Sequence, residues 1–317
     1  MKKNILITGA AGFIGSHVTL KLHQRGDTVI GLDNFNSYYT PQLKRDREAL
    51  LVKAGVHVVE GDICNSILID EIIAKHNITH VVHLAAQAGV RYSLANPQAY
   101  VKANLEGFVN ILESCRKNPA IKLIYASSSS VYGLNEKIPF SVDDRTDHQV
   151  SLYGASKKSN ELMAHSYHHI YGIATTGLRF FTVYGPWGRP DMAYFSFTKA
   201  ILEGKPIDVF NHGKLERDFT YIDDIVSGTI AAIDLGADYE IFNLGNNQPV
   251  ALGTFIEVIE NAVGKQAKKN YLPMQSGDVL RTYADIEHSK KRLGFSPKTS
   301  LEKGIFSFVE WYKEYHK

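Results

Sequence analysis

The order of hydrophobic and polar positions along the first half of the chain predicts an α/β fold. Short aliphatic and β-branched runs alternate with stretches whose apolar positions recur at helical spacing, which is typical of a parallel sheet covered by helices. Residues 5–7 and 123–124 are continuously apolar, as in strands buried on both faces. The predicted strands are residues 4–8, 28–33, 57–60, 80–84, 122–127 and 174–180. The predicted helices between them are residues 13–25, 43–54, 67–76, 100–117 and 153–171.

The pattern becomes less regular after residue 181. A proline- and glycine-rich loop at 185–190 precedes a predicted helix and strand at 194–203 and 207–210. A predicted helix at 219–235 and strand at 241–244 have the character of the first half, whereas the chain from 246 onwards predicts short helices and loops. We therefore expect two interleaved domains. The larger one comprises residues 1–180 plus about 219–245, and the smaller one comprises about 181–218 plus 246–317.

Composition narrows the function classes. The 35 basic and 33 acidic residues leave a formal charge of +2, which is no electrostatic footprint for nucleic acid. Cys64 and Cys115 are far apart and form no metal-ligand spacing, which favours buried thiols in a reducing compartment. The histidines at 165, 168 and 169 lie on a predicted helix without a supporting carboxylate, so no metal site is expected. No apolar run has the length of a membrane helix, and we expect a cytoplasmic protein.

A glycine-rich segment follows the first predicted strand and begins the first predicted helix. Gly9, Gly12 and Gly15 allow a tight turn and let backbone N–H groups approach a pyrophosphate at the positive end of the helix. Asp33 ends the next strand, where a carboxylate binds the adenosine ribose and repels the extra phosphate of NADP. Asp62, after the third strand, is a candidate for the adenine amino group. The sequence thus predicts a Rossmann-type doubly wound parallel sheet that binds NAD, with a smaller, interleaved α/β substrate-binding lobe.

Tyr153 and Lys157 are four residues apart at the start of a predicted helix and therefore share one face. An ammonium beside a phenol lowers its pKa and makes it a usable base. The pair alone is also compatible with surface decoration of a helix. Four serines at 127–130 follow the fifth predicted strand, however, and the carboxyl ends of parallel strands face the ligand crevice.

These features resemble the extended short-chain dehydrogenases, and the resemblance covers essentially the whole chain. The segments DNFNSYY at 33–39, HLAAQAGVRY at 83–92 and RFFTVYGPWGRPDM at 179–192 narrow it to UDP-glucuronate 4-epimerases of bacterial capsule and plant pectin pathways. The resemblance implies that Tyr153 removes the O4 proton, with Ser128 beside O4, while hydride passes from C4 to NAD⁺ and returns to the other face. It also implies a homodimer built on helices 100–117 and 153–171. The candidate cofactor-binding residues are Gly9, Gly12, Phe13, Ile14, Gly15, Asp33, Asn34, Asp62, Ile63, Leu84, Ala85, Ala86, Tyr153, Lys157 and Phe180.

A UDP-sugar substrate requires hydroxyl donors for the sugar, arginines for the diphosphate and an aromatic face for uracil. Arg217 matches the family's diphosphate-binding arginine, and Arg189 is a second candidate. Asp278 is a candidate for a ribose hydroxyl. Arg281 and Phe210 have competing interpretations, a surface salt bridge for Arg281 and core packing for Phe210. The candidate substrate-binding residues are Ser128, Ser129, Ser130, Thr182, Arg189, Phe210, Arg217, Asp278 and Arg281.

The serine run also separates related activities. Sugar 4,6-dehydratases and UDP-glucuronate decarboxylases of the same superfamily carry an acid near the strand-end hydroxyl, whereas residues 127–133 read SSSSVYG. Elimination and decarboxylation are therefore disfavoured. A 4-epimerase of UDP-glucose or a UDP-N-acetylhexosamine remains the main alternative, because one fold serves several sugars. A non-catalytic dinucleotide sensor is the alternative from another class, but such proteins typically lack the Tyr/Lys pair.

Overall fold

The computed structural model describes residues 2–274 and 279–317, and within these residues its strands form three sheets. The largest sheet has seven parallel strands in the order β10–β6–β5–β4–β1–β2–β3, and the predicted doubly wound Rossmann-type architecture is confirmed. The strands are β1 (Asn4–Thr8), β2 (Thr28–Asp33), β3 (His57–Glu60), β4 (His80–His83), β5 (Lys122–Ser128), β6 (Thr175–Phe180), β7 (Thr182–Tyr184), β8 (Pro206–Phe210), β9 (Glu216–Tyr221), β10 (Tyr239–Leu244), β11 (Pro249–Ala251) and β12 (Lys268–Leu272).

The helices of the described chain cover both faces of this sheet and build a second packed region. They are α1 (Phe13–Gln24), α2 (Pro41–Lys53), α3 (Ser66–His76), α4 (Tyr92–Ala95), α5 (Pro97–Tyr100), α6 (Gly107–Lys117), α7 (Leu152–Tyr171), α8 (Ala193–Leu202), α9 (Ile222–Leu235), α10 (Leu252–Val263), α11 (Glu287–Leu293) and α12 (Leu301–Tyr315). No helix in residues 2–274 and 279–317 is long and apolar enough to cross a bilayer.

Apolar burial explains how these layers are held. One core cluster lies where α1 and α9 pack on the sheet, and a second lies under α3, α6 and α7 on the opposite face. A third cluster joins α8, α10 and α12 around Phe308, which is fully buried. The chain order reverses between β1 and β4, so a crevice opens at the carboxyl ends of these strands.

The predicted strands and helices of the first half agree with the structure to within two or three residues, apart from the helix at 100–117. That helix begins earlier, at Pro97, and its segment Val101–Glu106 is wound as a π-helix. The wider turn accommodates the buried Asn104, whose amide bonds the backbone N–H and C=O of Gln87 at 2.8 and 3.0 Å. A wide turn of this kind is common at functional sites.

Two predictions for the second half are wrong. Residues 219–221 are not helical; they end β9, which pairs with β7 and β11. The aromatic ring of Phe219 stacks on Phe255 at 4.0 Å, so tertiary packing decides the strand here. The chain beyond residue 246 also contains longer helices than expected, because α10 and α12 each bury an apolar face in the third cluster.

Candidate active site

A cavity of about 440 Å³ occupies the crevice at the carboxyl ends of the sheet strands. Every predicted cofactor-binding residue lies on its wall. So do the three predicted catalytic residues and the predicted substrate residues Ser129, Ser130, Thr182, Arg189 and Arg217. The strand ends bring together segments that are up to about two hundred residues apart in the sequence. The predicted Asp278 lies outside the described residues.

The glycine turn between β1 and α1 fits a dinucleotide pyrophosphate. Gly9 has φ +73°, and a Cβ at this position would lie 2.7 Å from the backbone nitrogen of Ala85. A Cβ on Gly15 would lie 1.9 Å from the carbonyl oxygen of Gly9, so only glycine allows the helix to start here. No side chain caps α1 at Gly12, which leaves the N–H groups of its first turn for an anion.

The adenosine end of the cavity is organised by hydrogen bonds around Asp33. Its two carboxylate oxygens accept from the backbone N–H groups of Ala11 and Phe35, at 3.0 and 2.9 Å. Burial raises the pKa of Asp33, and the N–H groups and the nearby Lys44 oppose this shift. Asn34 donates to Asp62 at 2.9 Å, so the two predicted adenine-end residues are joined.

Tyr153 and Lys157 lie on the first turns of α7, beside the end of β5. Burial raises the pKa of Tyr153, while the Ser128 hydroxyl and the Arg189 guanidinium each lower it. The Lys157 ammonium instead donates to the carbonyl oxygen of Ala126 at 2.8 Å, and burial lowers its pKa to about 8. That Lys157 lowers the pKa of Tyr153 therefore stays a prediction. The cation that lowers this pKa in the structure belongs to Arg189.

The serine run forms a tight turn, Ser129–Tyr132, at the end of β5. Ser128 accepts from the backbone N–H of Ser130 at 3.1 Å, and Ser128, Ser129 and Ser130 line the cavity together with Thr182. Ser127 also lies on the wall, and its hydroxyl donates to Glu161 at 2.6 Å. The result is a cluster of neutral hydroxyl groups around the position that faces Tyr153.

A buried ion pair supports this turn from behind. Arg179 on β6 contacts Glu161 on α7 through Nε at 2.8 Å and Nη2 at 2.9 Å, and both side chains are almost fully buried. Arg179 also donates to the hydroxyl of Tyr132 at 3.0 Å. Sequence reasoning missed both charged residues. Two signals were present: a charge inside a predicted buried strand, and a carboxylate four residues beyond Lys157 on the same helix face.

The loop after β7 brings Arg189 towards Tyr153. Asp191 accepts from Arg189 through both carboxylate oxygens, at 3.0 and 2.5 Å, and from the hydroxyl of Tyr38 at 3.0 Å. Arg189 lies on the cavity wall and its charge acts on Tyr153, while its predicted role at the diphosphate stays a prediction. Arg217 lies elsewhere on the wall and donates to the carbonyl oxygen of Val279 at 2.9 Å.

Two predicted substrate residues are not part of the described wall. Arg281 is exposed and forms an ion pair with Glu216, which agrees with its salt-bridge interpretation. Phe210 is half-buried under the guanidinium of Arg91, 5.1 Å from its ring centroid. Within the described residues, no group of three or more His, Cys, Asp or Glu side chains is arranged to hold a metal ion.

The sequence and structure are similar to those of known proteins. Residues 5–245 match the model of the NAD dependent epimerase/dehydratase family. UDP-glucuronate 4-epimerase 4 of Arabidopsis thaliana is 53% identical over 330 residues, which cover 98% of this chain and 76% of the plant protein.

The fold is also similar to those of solved epimerase structures. UDP-glucuronic acid 4-epimerase of Bacillus cereus, in complex with UDP-glucuronic acid and NAD, superimposes with a TM-score of 0.92 at 36% identity and covers 98% of this chain and 99% of that one. UDP-glucose 4-epimerase of Thermotoga maritima, with UDP-glucose, superimposes with a TM-score of 0.90 at 32% identity over 99% of this chain and 100% of that one.

Proposed function

Because this chain belongs to the NAD dependent epimerase/dehydratase family, we propose that it interconverts UDP-glucuronate and UDP-galacturonate by inversion at C4, with NAD as its cofactor. The observation that carries the proposal is the wall of the sugar end. On this wall the phenol of Tyr153 lies beside the Ser128 hydroxyl and the neutral hydroxyls of Ser129, Ser130 and Thr182. Among the described wall residues the carboxylates are Asp33 and Asp62, and both lie at the adenosine end.

Tyr153 is proposed as the acid–base group. As a phenolate it accepts the O4 proton, and as a phenol it returns a proton to O4 after the sugar has presented its other face. When bound, NAD⁺ supplies the acceptor for the C4 hydride and afterwards the donor that returns it. Ser128 hydrogen-bonds the same sugar oxygen. The proton that leaves O4 and the hydride that leaves C4 are both replaced in the second half of the reaction, so no second substrate is consumed.

The cofactor residues have separate tasks in this proposal. The glycine turn holds the pyrophosphate at the start of α1, and Asp33 accepts from the adenosine ribose. The Lys157 ammonium uses one donor on Ala126 and has others for the nicotinamide ribose. Phe180, at the end of β6, lies on the wall beside the position expected for the nicotinamide.

The substrate carboxylate imposes a further requirement. After oxidation at C4 it is β to the ketone, and it leaves readily as CO₂ when the scissile bond aligns with the ketone π system. Ser129, Ser130 and Thr182 are proposed to hold the carboxylate away from that alignment, and positioning of this kind changes barriers by roughly several kcal/mol. Arg217 is proposed for the diphosphate.

NMR of the products decides between the proposal and its alternatives. The enzyme with NAD is incubated separately with UDP-glucuronate, UDP-glucose and UDP-N-acetylglucosamine. We expect UDP-galacturonate from the first substrate, with only a small transient NADH absorbance. Preferred conversion of a neutral sugar would favour the UDP-glucose or UDP-N-acetylhexosamine alternative. CO₂ release would indicate a decarboxylase, and absence of all turnover would favour a sensor.

Tyr153→Phe tests the acid–base assignment directly. We expect the variant to lose nearly all turnover and to keep its affinity for NAD and UDP, because only the hydroxyl is removed. Ser159→Ala is the matched control, because this half-buried hydroxyl lies farther along α7 and donates to the carbonyl oxygen of Ala155. Undiminished activity of Tyr153→Phe would remove the proposed base.

We also propose a cytoplasmic homodimer, with a role in polysaccharide biosynthesis. Support for the dimer comes from α7, which exposes Leu162, Ile170 and Tyr171 next to α6. Sedimentation velocity of the wild type and of Leu162→Arg tests the assembly. A wild type that sediments as a monomer at micromolar concentration would contradict it.

A further inference from the structure

The loop after β7 is anchored to α12 and α2. Trp187 in this loop has φ +60°, a left-handed conformation that bulky residues adopt only when their surroundings require it. Its ring packs against Trp311 and Tyr315 of α12, each at 5.2 Å between ring centroids. Tyr315 in turn hydrogen-bonds Asp46 on α2. The loop is thus clamped between α12 and α2.

Arg47 fastens the same loop through the backbone. Its side chain is fully buried and donates to the carbonyl oxygen of Trp187 through Nε and Nη2, at 3.0 and 2.6 Å, and to that of Gly188 at 3.1 Å. The remaining nitrogen, Nη1, donates to the carbonyl oxygen of Ala11 at 3.1 Å and to the hydroxyl of Tyr39 at 2.7 Å. Of these five hydrogen bonds, four go to backbone carbonyl oxygens and one to a hydroxyl. A buried guanidinium is therefore satisfied almost entirely by backbone carbonyls.

The three carbonyl groups that Arg47 contacts belong to two different parts of the site. Ala11 lies in the glycine turn, and its N–H is the donor held by Asp33. Trp187 and Gly188 immediately precede Arg189, which faces Tyr153. A planar fork with five donors can hold both segments at once, and the single ammonium of a lysine cannot.

We propose that Arg47 is a positioning residue that couples the dinucleotide-binding turn to the loop that carries Arg189. The role of the coupling in catalysis rests on the proposed function, in which Tyr153 is the base. A pyrophosphate bound in the glycine turn restricts the motion of Ala11. Because Arg47 donates to Ala11 and also to the carbonyl groups of residues 187–188, it then restricts the motion of the loop. Arg189, the next residue, keeps its place opposite Tyr153. In the reverse direction, a UDP-sugar that orders the loop strengthens dinucleotide binding, because coupling between two sites is reciprocal.

Binding linkage tests the coupling without turnover. Calorimetry, with Tyr153→Phe in every protein to prevent turnover, measures the dissociation constant of UDP-glucuronate for the holoenzyme and for the protein after removal of NAD. With Arg47 intact we expect NAD to tighten UDP-glucuronate binding roughly fivefold or more, within the usual range of coupling energies. In Arg47→Lys, which keeps the charge but not the fork, the factor should fall towards one. Lys53→Met, an exposed cation on the same helix, is the matched control and should keep the wild-type factor.

The pH profile of kcat tests the effect on the base. Among the described residues, the Ser128 hydroxyl and the Arg189 guanidinium lower the pKa of Tyr153, and the ring of Tyr100 lies 6.1 Å away between centroids. Lys157, one turn along α7, donates to the carbonyl oxygen of Ala126. The base must be deprotonated, so kcat rises with pH through its pKa, and Arg189 lowers that pKa. If the loop shifts in Arg47→Lys, the rising limb should move to higher pH, with kcat at neutral pH reduced roughly 10- to 100-fold.

A purely structural role would lower the thermal midpoint of Arg47→Lys without changing the linkage factor or the position of the limb, and that result would overturn the proposal. So would a wild type without linkage. Tyr39→Phe removes one partner of Arg47 and should shift both readouts in the same direction but less, which keeps the proposal testable if Arg47→Lys folds poorly. A wild type that converts no UDP-glucuronate would refute the proposed function, and the linkage would still decide the role of Arg47.

Discussion

The buried pair of Arg179 and Glu161 provides a prediction whose size follows from the structure. Arg179→Met removes two charge-assisted hydrogen bonds, at 2.8 and 2.9 Å, and leaves a carboxylate that is almost fully buried. Among the described residues, Ser127 and the more distant Lys158 ammonium, 3.8 Å away, then remain as partners of Glu161. Loss of one partner of a buried pair costs about 3–5 kcal/mol.

That cost translates into a measurable change in thermal stability. Unfolding entropy of about 2.1 cal/mol/K per residue, applied to 317 residues, converts it into a drop of roughly 4 to 8 °C in the thermal midpoint. Turnover should fall as well, because Ser127 and Tyr132 flank the turn that carries Ser128 and both are partners in this network. We expect kcat to decrease by roughly tenfold or more. Calorimetry with saturating NAD and product NMR measure the two effects.

A double-mutant cycle separates this explanation from simple loss of volume. Replacement of both partners, Arg179→Met with Glu161→Met, leaves no unpaired charge and should cost less than the sum of the single variants. Additive costs would refute the argument that the unpaired charge dominates. Arg292→Met removes an exposed pair with Glu240, at 2.9 Å, and serves as the control. It should cost at most about 1 kcal/mol.

Three further changes probe other parts of the molecule. Gly15→Ala directs a Cβ into the carbonyl oxygen of Gly9, so NAD should be lost from the purified protein, which the absorbance of released cofactor checks. Ser130→Ala and Thr182→Val remove donors proposed for the substrate carboxylate, and NMR should reveal a decarboxylated by-product; its absence from both, with an unchanged KM for UDP-glucuronate, would contradict that assignment. Burial lowers the pKa of His83 to about 3, below the usual 6.5, so the unfolded chain alone takes up this proton as the pH falls from 6.5 towards 3 and the folded state loses stability. The thermal midpoint of His83→Asn should therefore fall less than that of the wild type between pH 7.5 and 5.

The fold was predictable where burial and local spacing agree. The strands of the main sheet are four to seven residues long and contain apolar residues that the sheet buries, and the glycine turn carries its own steric signature. The helix prediction for residues 219–221 failed because their apolar positions suit a helix and a strand equally well. The partner that favours the strand, Phe255, lies 36 residues beyond Phe219 in the chain. The length of α12 was missed because its buried face is complementary to a cluster that only the folded chain assembles.

The site was predictable residue by residue but not in its interactions. Motif positions placed Tyr153, Ser128 and Asp33 on the cavity wall, because strand ends and helix starts locate such groups whatever the tertiary detail. The partners of a long side chain depend on where its end lies. A surface salt bridge was the favoured interpretation of Arg281 and is present, but the sequence does not identify Glu216 as its partner.

The difference between the position of a side chain and its interactions matters most for the cation that lowers the pKa of Tyr153. A spacing of four residues puts Lys157 on the correct helix face, and the resemblance to short-chain dehydrogenases makes the pair attractive. Yet the Lys157 ammonium is held at 2.8 Å by the carbonyl oxygen of Ala126, and Arg189 is the cation that lowers the pKa of the phenol. Arg189 is itself fixed by Asp191 and by a loop that Arg47 ties to the glycine turn. The acidity of the base is therefore a property of the loop as much as of the helix. A substitution remote from the sugar that displaces the loop should change the pH dependence of turnover more than it changes UDP binding to the holoenzyme.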